Sequence, residues 1–195
     1  MCGRTSLFAP RPTIEERFDA TFDVDYRPRY NVAPGDDLVV VHDAAPETLT
    51  ADEWGFVPTW AEDENEGPRP INARAETVAE NRLFRSAFEE RRALVVADGF
   101  YEWQGPRGGK RPYRIARQDG GLFAMAAVWS EWRGKEKSLS TVAIVTTAAN
   151  PLLEPIHDRM PVILPPETES TWLTADPSTA TDLLVPYPDR DFEAT

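Results

Sequence analysis

Lysine, cysteine and histidine are nearly missing from this chain. Among 195 residues there is one cysteine, Cys2, two histidines, His42 and His157, and only Lys110, Lys135 and Lys137 as lysines. A single cysteine excludes an intramolecular disulfide framework and the multi-cysteine zinc sites, and points to a reducing, cytoplasmic setting. Two histidines leave little for a histidine-based metal cluster, so neither metal nor cofactor is expected. No apolar run approaches about 18 residues, and the N-terminus lacks a charged-then-apolar signal pattern. No membrane association is expected.

Acidic residues dominate what is present: 33 Asp and Glu face 21 Lys and Arg, a net charge of −12. Such an excess ordinarily argues against nucleic acid as a ligand, because phosphate binding leaves a basic footprint. Abundant carboxylates with arginine almost entirely replacing lysine also resemble the surface of a protein from a salt-loving organism. At molar salt the Debye length falls to about 3 Å, so a general acidic surface is compatible with arginines gripping phosphates in a groove. The length fits one medium domain, and residues 1–195 carry no repeat, linker or low-complexity tract.

The pattern of apolar residues predicts helices over 11–20 and 76–92 and two late helices over 166–175 and 176–185. Strands are expected at 37–43 and 49–58, joined as a hairpin, then at 92–103, 111–118, 122–132, 140–149 and 160–165. Consecutive strands with hairpin-length turns and outlying helices define an α+β chain, with a mostly antiparallel, barrel-like sheet and peripheral helices.

Several short stretches carry chemistry that a structural role alone can also explain. "MCGR" puts the only thiol at position 2, where loss of Met1 leaves an amine and a thiol on adjacent carbons; a small buried side chain is the ordinary alternative. "PINARAET" (70–77) places Asn72, Arg74 and Glu76 on one side of an extended segment, which a solvated edge strand does equally well. "ADGFYEW" (97–103) holds Asp98 and Glu102 at the end of an apolar strand, as a raised-pKa acid or as surface residues. "EPIHDRMP" (154–161) sets His157, Asp158 and Arg159 in a proline-bounded loop, and Trp60 in "WGFVPTW" either stacks a base or caps the core.

Taken in order, MCGR, YNVAPG, WGFVPTW, INARAET, ADGFYEW and IHDRMPVIL resemble the SOS response-associated peptidase (SRAP) family from residue 2 to about residue 185. The resemblance implies the barrel-like mixed fold above, acting as a monomer on single-stranded DNA and associated with the nucleoid when bound. It also implies covalent capture of abasic sites in the DNA damage response. By the same resemblance, Cys2, Asn72, Glu102 and His157 are the catalytic residues. Asn72 positions the captured sugar, Glu102 acts as general acid/base and His157 shares proton transfer. Arg4, Asn31, Trp60, Arg74, Arg82 and Arg159 match positions that contact DNA. The chain departs from the family near its end: "YPDRDFEAT" lacks the usual Val-Ser…Val-Asn strand, so a C-terminal strand is expected to be missing.

The chemistry of the first residue fits that activity. An α-amine with an unperturbed pKa of roughly 7.7–8.0 is partly neutral near pH 7 and condenses with the aldehyde of a ring-opened abasic sugar. The adjacent thiol then closes a five-membered thiazolidine, which a lysine imine cannot do. Two other readings use the same residue. An N-terminal-nucleophile glutamine amidotransferase explains Cys2 and leaves the other motifs unexplained. An autoproteolytic cysteine peptidase, as the family name records, has only Met1 to remove. A non-enzymatic DNA-binding module predicts that Cys2→Ala binds abasic DNA as well as the parent.

Overall fold

The apolar run that begins at Arg92 turns a corner in its middle, and that corner organises the molecule. Residues 92–103, expected as one strand, form two: β7 (Arg92–Ala97) and β8 (Gly99–Gln104), which belong to different sheets. The break is Asp98. Its carboxylate accepts hydrogen bonds from the Ser6 hydroxyl (2.6 Å) and from the backbone N–H groups of Phe8 (2.5 Å) and Ala9 (3.2 Å). Arg114 donates to both the Asp98 carbonyl (2.8 Å) and its carboxylate (3.2 Å). A Cβ on the next residue, Gly99, would lie 2.7–2.8 Å from the Arg114 guanidinium, so only glycine lets the arginine reach the corner. The computed structural model describes residues 2–65, 67–106, 108–135 and 137–195; the expected loss of Met1 falls outside them.

Ahead of the corner the chain lays down β1 (Thr5–Leu7), α1 (Arg11–Phe18), β2 (Thr21–Phe22), β3 (Arg29–Val32), β4 (Asp37–His42), β5 (Ala45–Trp54), β6 (Asn72–Arg74) and α2 (Arg85–Glu90). Beyond it come β9 (Arg111–Arg117), β10 (Phe123–Arg133), β11 (Ser138–Ala148), β12 (Arg159–Pro161), β13 (Ile163–Leu164), α3 (Pro166–Thr174), α4 (Pro177–Asp182) and β14 (Phe192–Ala194). The smaller sheet runs β14-β9-β8-β1-β3 and is antiparallel throughout. The larger runs β12-β11-β10-β7-β4-β5-β2, with β13 on β10 and β6 on β11. A further parallel pairing of β11 with β5 returns β11-β10-β7-β4-β5 to its start, which makes the sheet a barrel.

Both faces of the larger sheet are covered, which is why β7 reads as an unbroken buried run instead of alternating. On one face Leu94, Val96, Ala126 and Val145 pack with Ile14, Phe88 and Trp172 from the helices. On the other, Val95, Met125 and Ile144 pack with Cys2, Phe100 and Ile115 of the smaller sheet and its N-terminal approach. The helices are peripheral, as the sequence pattern implies.

The predicted helix over 76–92 is shorter than its spacing indicates. Only Arg85–Glu90 is α-helical, and residues 75–80 and 82–84 are turns. Asn81 breaks the periodicity because its side-chain oxygen accepts the Leu83 N–H (2.9 Å), offering the backbone a local alternative to the helical ladder. Val78, Phe84, Ala87 and Phe88 are nevertheless buried. The hairpin of β4 and β5 turns at Asp43–Ala44, so β5 starts earlier and stops earlier than expected. The last residues, where no strand is legible, pair with β9: Phe192 faces Arg117 and Ala194 faces Ile115.

Candidate active site

Cys2 lies where the two sheets approach each other. It is fully buried, three residues before β1 begins. The backbone N–H of Tyr101 donates to the Arg4 carbonyl (2.9 Å), continuing the β1–β8 pairing of Thr5 with Phe100 toward the chain end. That pairing carries the first residues toward Glu102. From the larger sheet, β6 brings Asn72, whose side-chain N–H donates to the Cys2 carbonyl at 2.9 Å. The Asn72 side-chain oxygen is buried and has no hydrogen-bond partner among the described residues. A buried acceptor left unmatched is costly, and this one lies on the side chain that holds the Cys2 carbonyl.

Glu102 shares the inward face of β8 with Phe100, two residues away on a pleated strand. Its side chain is buried, 2 % exposed. Burial penalises the carboxylate and raises its pKa to about 7, with Lys110 among the opposing influences. Burial, followed by the negative charge of Glu102, pushes the Cys2 thiol well above its ordinary range. The thiol is held as S–H.

His157 enters from the loop before β12. Gln104, at the end of β8, donates to the Pro155 carbonyl at 2.7 Å and fastens this loop to the strand that carries Glu102. Burial lowers the His157 pKa, against an opposing pull from Asp158, so the imidazole is neutral at pH 7. Its Nδ1 accepts the Arg159 N–H at 3.0 Å, and Asp158 lies 3.0 Å from the same nitrogen. Arg159 is turned inward: its guanidinium donates to both oxygens of Glu76 and to the Thr146 carbonyl (2.5 Å).

The remaining expected DNA contacts divide into groups. Trp60, 69 % exposed, and Arg82 line one open depression with Asn81 and Leu83. Arg74 is exposed on β6, two residues beyond Asn72. Arg4 sits beside the reactive end and donates to the Gly3 carbonyl (2.9 Å). Asn31 is exposed on β3. Asp98, offered by the sequence beside Glu102, is the structural corner, bonded to Ser6, Phe8, Ala9 and Arg114. Gln104 and Lys110 gave no signal in the sequence beyond the scarcity of lysine. Among the described residues no group of three His, Cys, Asp or Glu is arranged to hold a metal ion, and no helix is long and apolar enough to cross a membrane.

Comparison with known proteins points in one direction. The family model of SOS response associated peptidase (SRAP) matches residues 1–195. Abasic site processing protein YoqW of Bacillus subtilis (strain 168) is 42% identical over 204 residues, covering 100% of this chain and 91% of the relative. Abasic site processing protein YedK of Escherichia coli (strain K12) is 37% identical over 184 residues, covering 89% and 79%. A crystal structure of a Bacteroides thetaiotaomicron protein superposes with a TM-score of 0.92 at 27% identity, over 99% of this chain and 90% of that one.

Proposed function

The chain belongs to the SOS response-associated peptidase family, and from that membership we propose that it processes abasic sites in single-stranded DNA by covalent capture at Cys2 once Met1 has been removed. The observation that carries this reading is the hydrogen bond from Asn72 to the Cys2 carbonyl, which fixes the chain end beside Glu102.

The steps balance without a co-reactant. The α-amine of Cys2 adds to the C1′ aldehyde of the ring-opened sugar to give a carbinolamine. Glu102, with a pKa near 7, donates a proton to the departing hydroxyl, and loss of water from the carbinolamine leaves an iminium ion. The Cys2 sulfur adds to the iminium carbon; its proton passes to the Glu102 carboxylate, and the thiazolidine nitrogen remains as an amine. One water is lost and no electron changes hands. Proton transfers of this kind contribute about 10²–10⁴-fold. The unmatched oxygen of Asn72 suits a hydroxyl of the opened sugar.

A peptidase or amidotransferase that begins at sulfur needs a thiolate, hence a depressed thiol pKa. The Cys2 thiol is shifted the other way, which favours a reaction that begins at nitrogen.

The test is an oligonucleotide with one abasic site, mixed with the protein and resolved by intact mass. The expected product weighs the protein without Met1 plus the oligonucleotide minus one water, and is absent with Cys2→Ala or with an uncleaved N-terminal extension. No covalent species after hours across a range of salt concentrations would sink the reading; ammonia release from glutamine would replace it with the amidotransferase.

A further inference from the structure

Most cations of this acidic chain are taken by its own carboxylates. Arg92 is spent differently, buried against the carbonyls of Trp172, Phe88 and Ala175. Lys135 sits on the β10–β11 turn beside the acidic loop of Glu62, Asp63 and Glu64. Arg92 and Lys135 aside, the described cations outside every ion pair are Arg4, Arg74, Arg82, Arg85, Lys110 and Arg111. A cation that a carboxylate-rich surface leaves unpaired is available to an external anion.

Arg74, Arg82 and Arg85 follow Asn72 along β6 and the segment after it, on the side of the larger sheet. Lys110 and Arg111 lie elsewhere, where the β8–β9 hairpin of the smaller sheet begins its return. Gln104 pairs with Arg111 in that hairpin, two residues beyond Glu102. The Gln104–Pro155 hydrogen bond locks the same end of the hairpin to the His157 loop. The Arg111 guanidinium lies over the Tyr113 ring (4.9 Å), and the Tyr113 hydroxyl bonds Gln104 (3.3 Å), so its direction is set in advance. Lys110 is exposed, and its charge is the smallest of the influences on Glu102, whose pKa burial raises, and on His157, whose pKa burial lowers.

We propose that Lys110 and Arg111 form a phosphodiester-binding site on the smaller sheet, facing the arginines of the larger sheet across Cys2. A single strand gripped on both sides then lies across Glu102 and His157, with the abasic sugar over the reactive end. This site rests on the reading of the chain as a single-stranded DNA binder.

The experiment is reversible binding of an intact single-stranded oligonucleotide, without an abasic site, followed by fluorescence anisotropy from low to high salt. Each lost phosphate contact lowers the slope of log K against log salt by about 0.7 on a single strand. The double variant Lys110→Ala/Arg111→Ala is expected to lose about 1.4 from the slope. Lys110→Arg retains the parent slope, because a phosphate contact needs the charge and not the amine, and Lys135→Ala also leaves it unchanged. An unaltered slope in the double variant, or an equal loss with Lys135→Ala, overturns the site while leaving the proposed function standing. A parent that binds no single-stranded DNA removes both.

Discussion

Asn72 and Cys2, 70 positions apart in sequence, are joined by one hydrogen bond of 2.9 Å from the asparagine amide to the cysteine carbonyl. Through it the larger sheet holds the chain end that the smaller sheet delivers. A net hydrogen bond is worth about 0.5–1.5 kcal/mol, so Asn72→Ala is expected to slow single-turnover crosslinking about tenfold. The melting temperature should move little. An unchanged rate would show that the reactive end is placed by β1 alone.

Glu102 supplies a pH signature in stability as well as in rate. Its folded pKa of about 7 stands above its ordinary 4.5, so between those values the native state binds more protons than the unfolded one. Stability therefore falls as pH rises from about 4.5 through 7. At about 1.4 kcal/mol per pK unit the loss is at most on the order of 3 kcal/mol. Glu102→Gln should flatten that portion of the stability–pH curve, measured by calorimetry, and slow crosslinking about 10²–10⁴-fold. A glutamine variant with the parent's curve would place the titrating group elsewhere.

Asp98 predicts the reverse separation. Removing a buried, multiply bonded carboxylate costs about 3–5 kcal/mol when its cationic partner is left behind. Asp98→Ala should unfold at clearly lower denaturant than the parent. Well below its melting temperature, the pH profile of crosslinking should keep the parent's shape. A profile that changes would make Asp98 part of the proton transfer.

Trp60 and Arg82 share one depression but are expected to bind DNA differently. Stacking contributes about 1–3 kcal/mol per base and involves no counterion. Trp60→Ala should therefore weaken single-strand binding about ten- to hundredfold with the salt slope intact. Arg82→Ala should lower the slope by about 0.7. Identical slope losses in both variants would remove the stacking role.

The barrel was legible because the apolar runs 37–43, 122–132 and 140–149 and their turns are local signals. Three features were not. The corner at Asp98 depends on Arg114 and Ser6, which come from other strands, and it splits a run that is continuously apolar in sequence. The helix over 76–92 is cut by one side-chain hydrogen bond at Asn81, although its apolar spacing is sound. The strands β1, β3, β6 and β14 have four residues or fewer, too short for alternation to show. For the candidate site, the resemblance offered Cys2, Asn72, Glu102 and His157, and the structure joins Asn72 to Cys2 directly. What the resemblance could not supply is that Gln104 ties the His157 loop to the Glu102 strand, or that Arg159 is engaged by Glu76, since both depend on contacts between distant loops.

Chain termini ordinarily fray unless something ties them down. Here β1 is paired on both edges, to β3 and β8, and Asp98 clamps it at its far end. Between that clamped strand and Cys2 lie Gly3 and Arg4, and the Arg4 carbonyl is itself held by the Tyr101 N–H. The first nitrogen of the processed protein thus has the positional certainty of a core side chain, although it belongs to an end. Its placement is set by a count of residues: one inserted between Cys2 and Thr5 would shift the nitrogen by about 3.3 Å. The spacing Cys-Gly-Arg-Thr is a ruler, and the proposed chemistry depends on its length as much as on its letters.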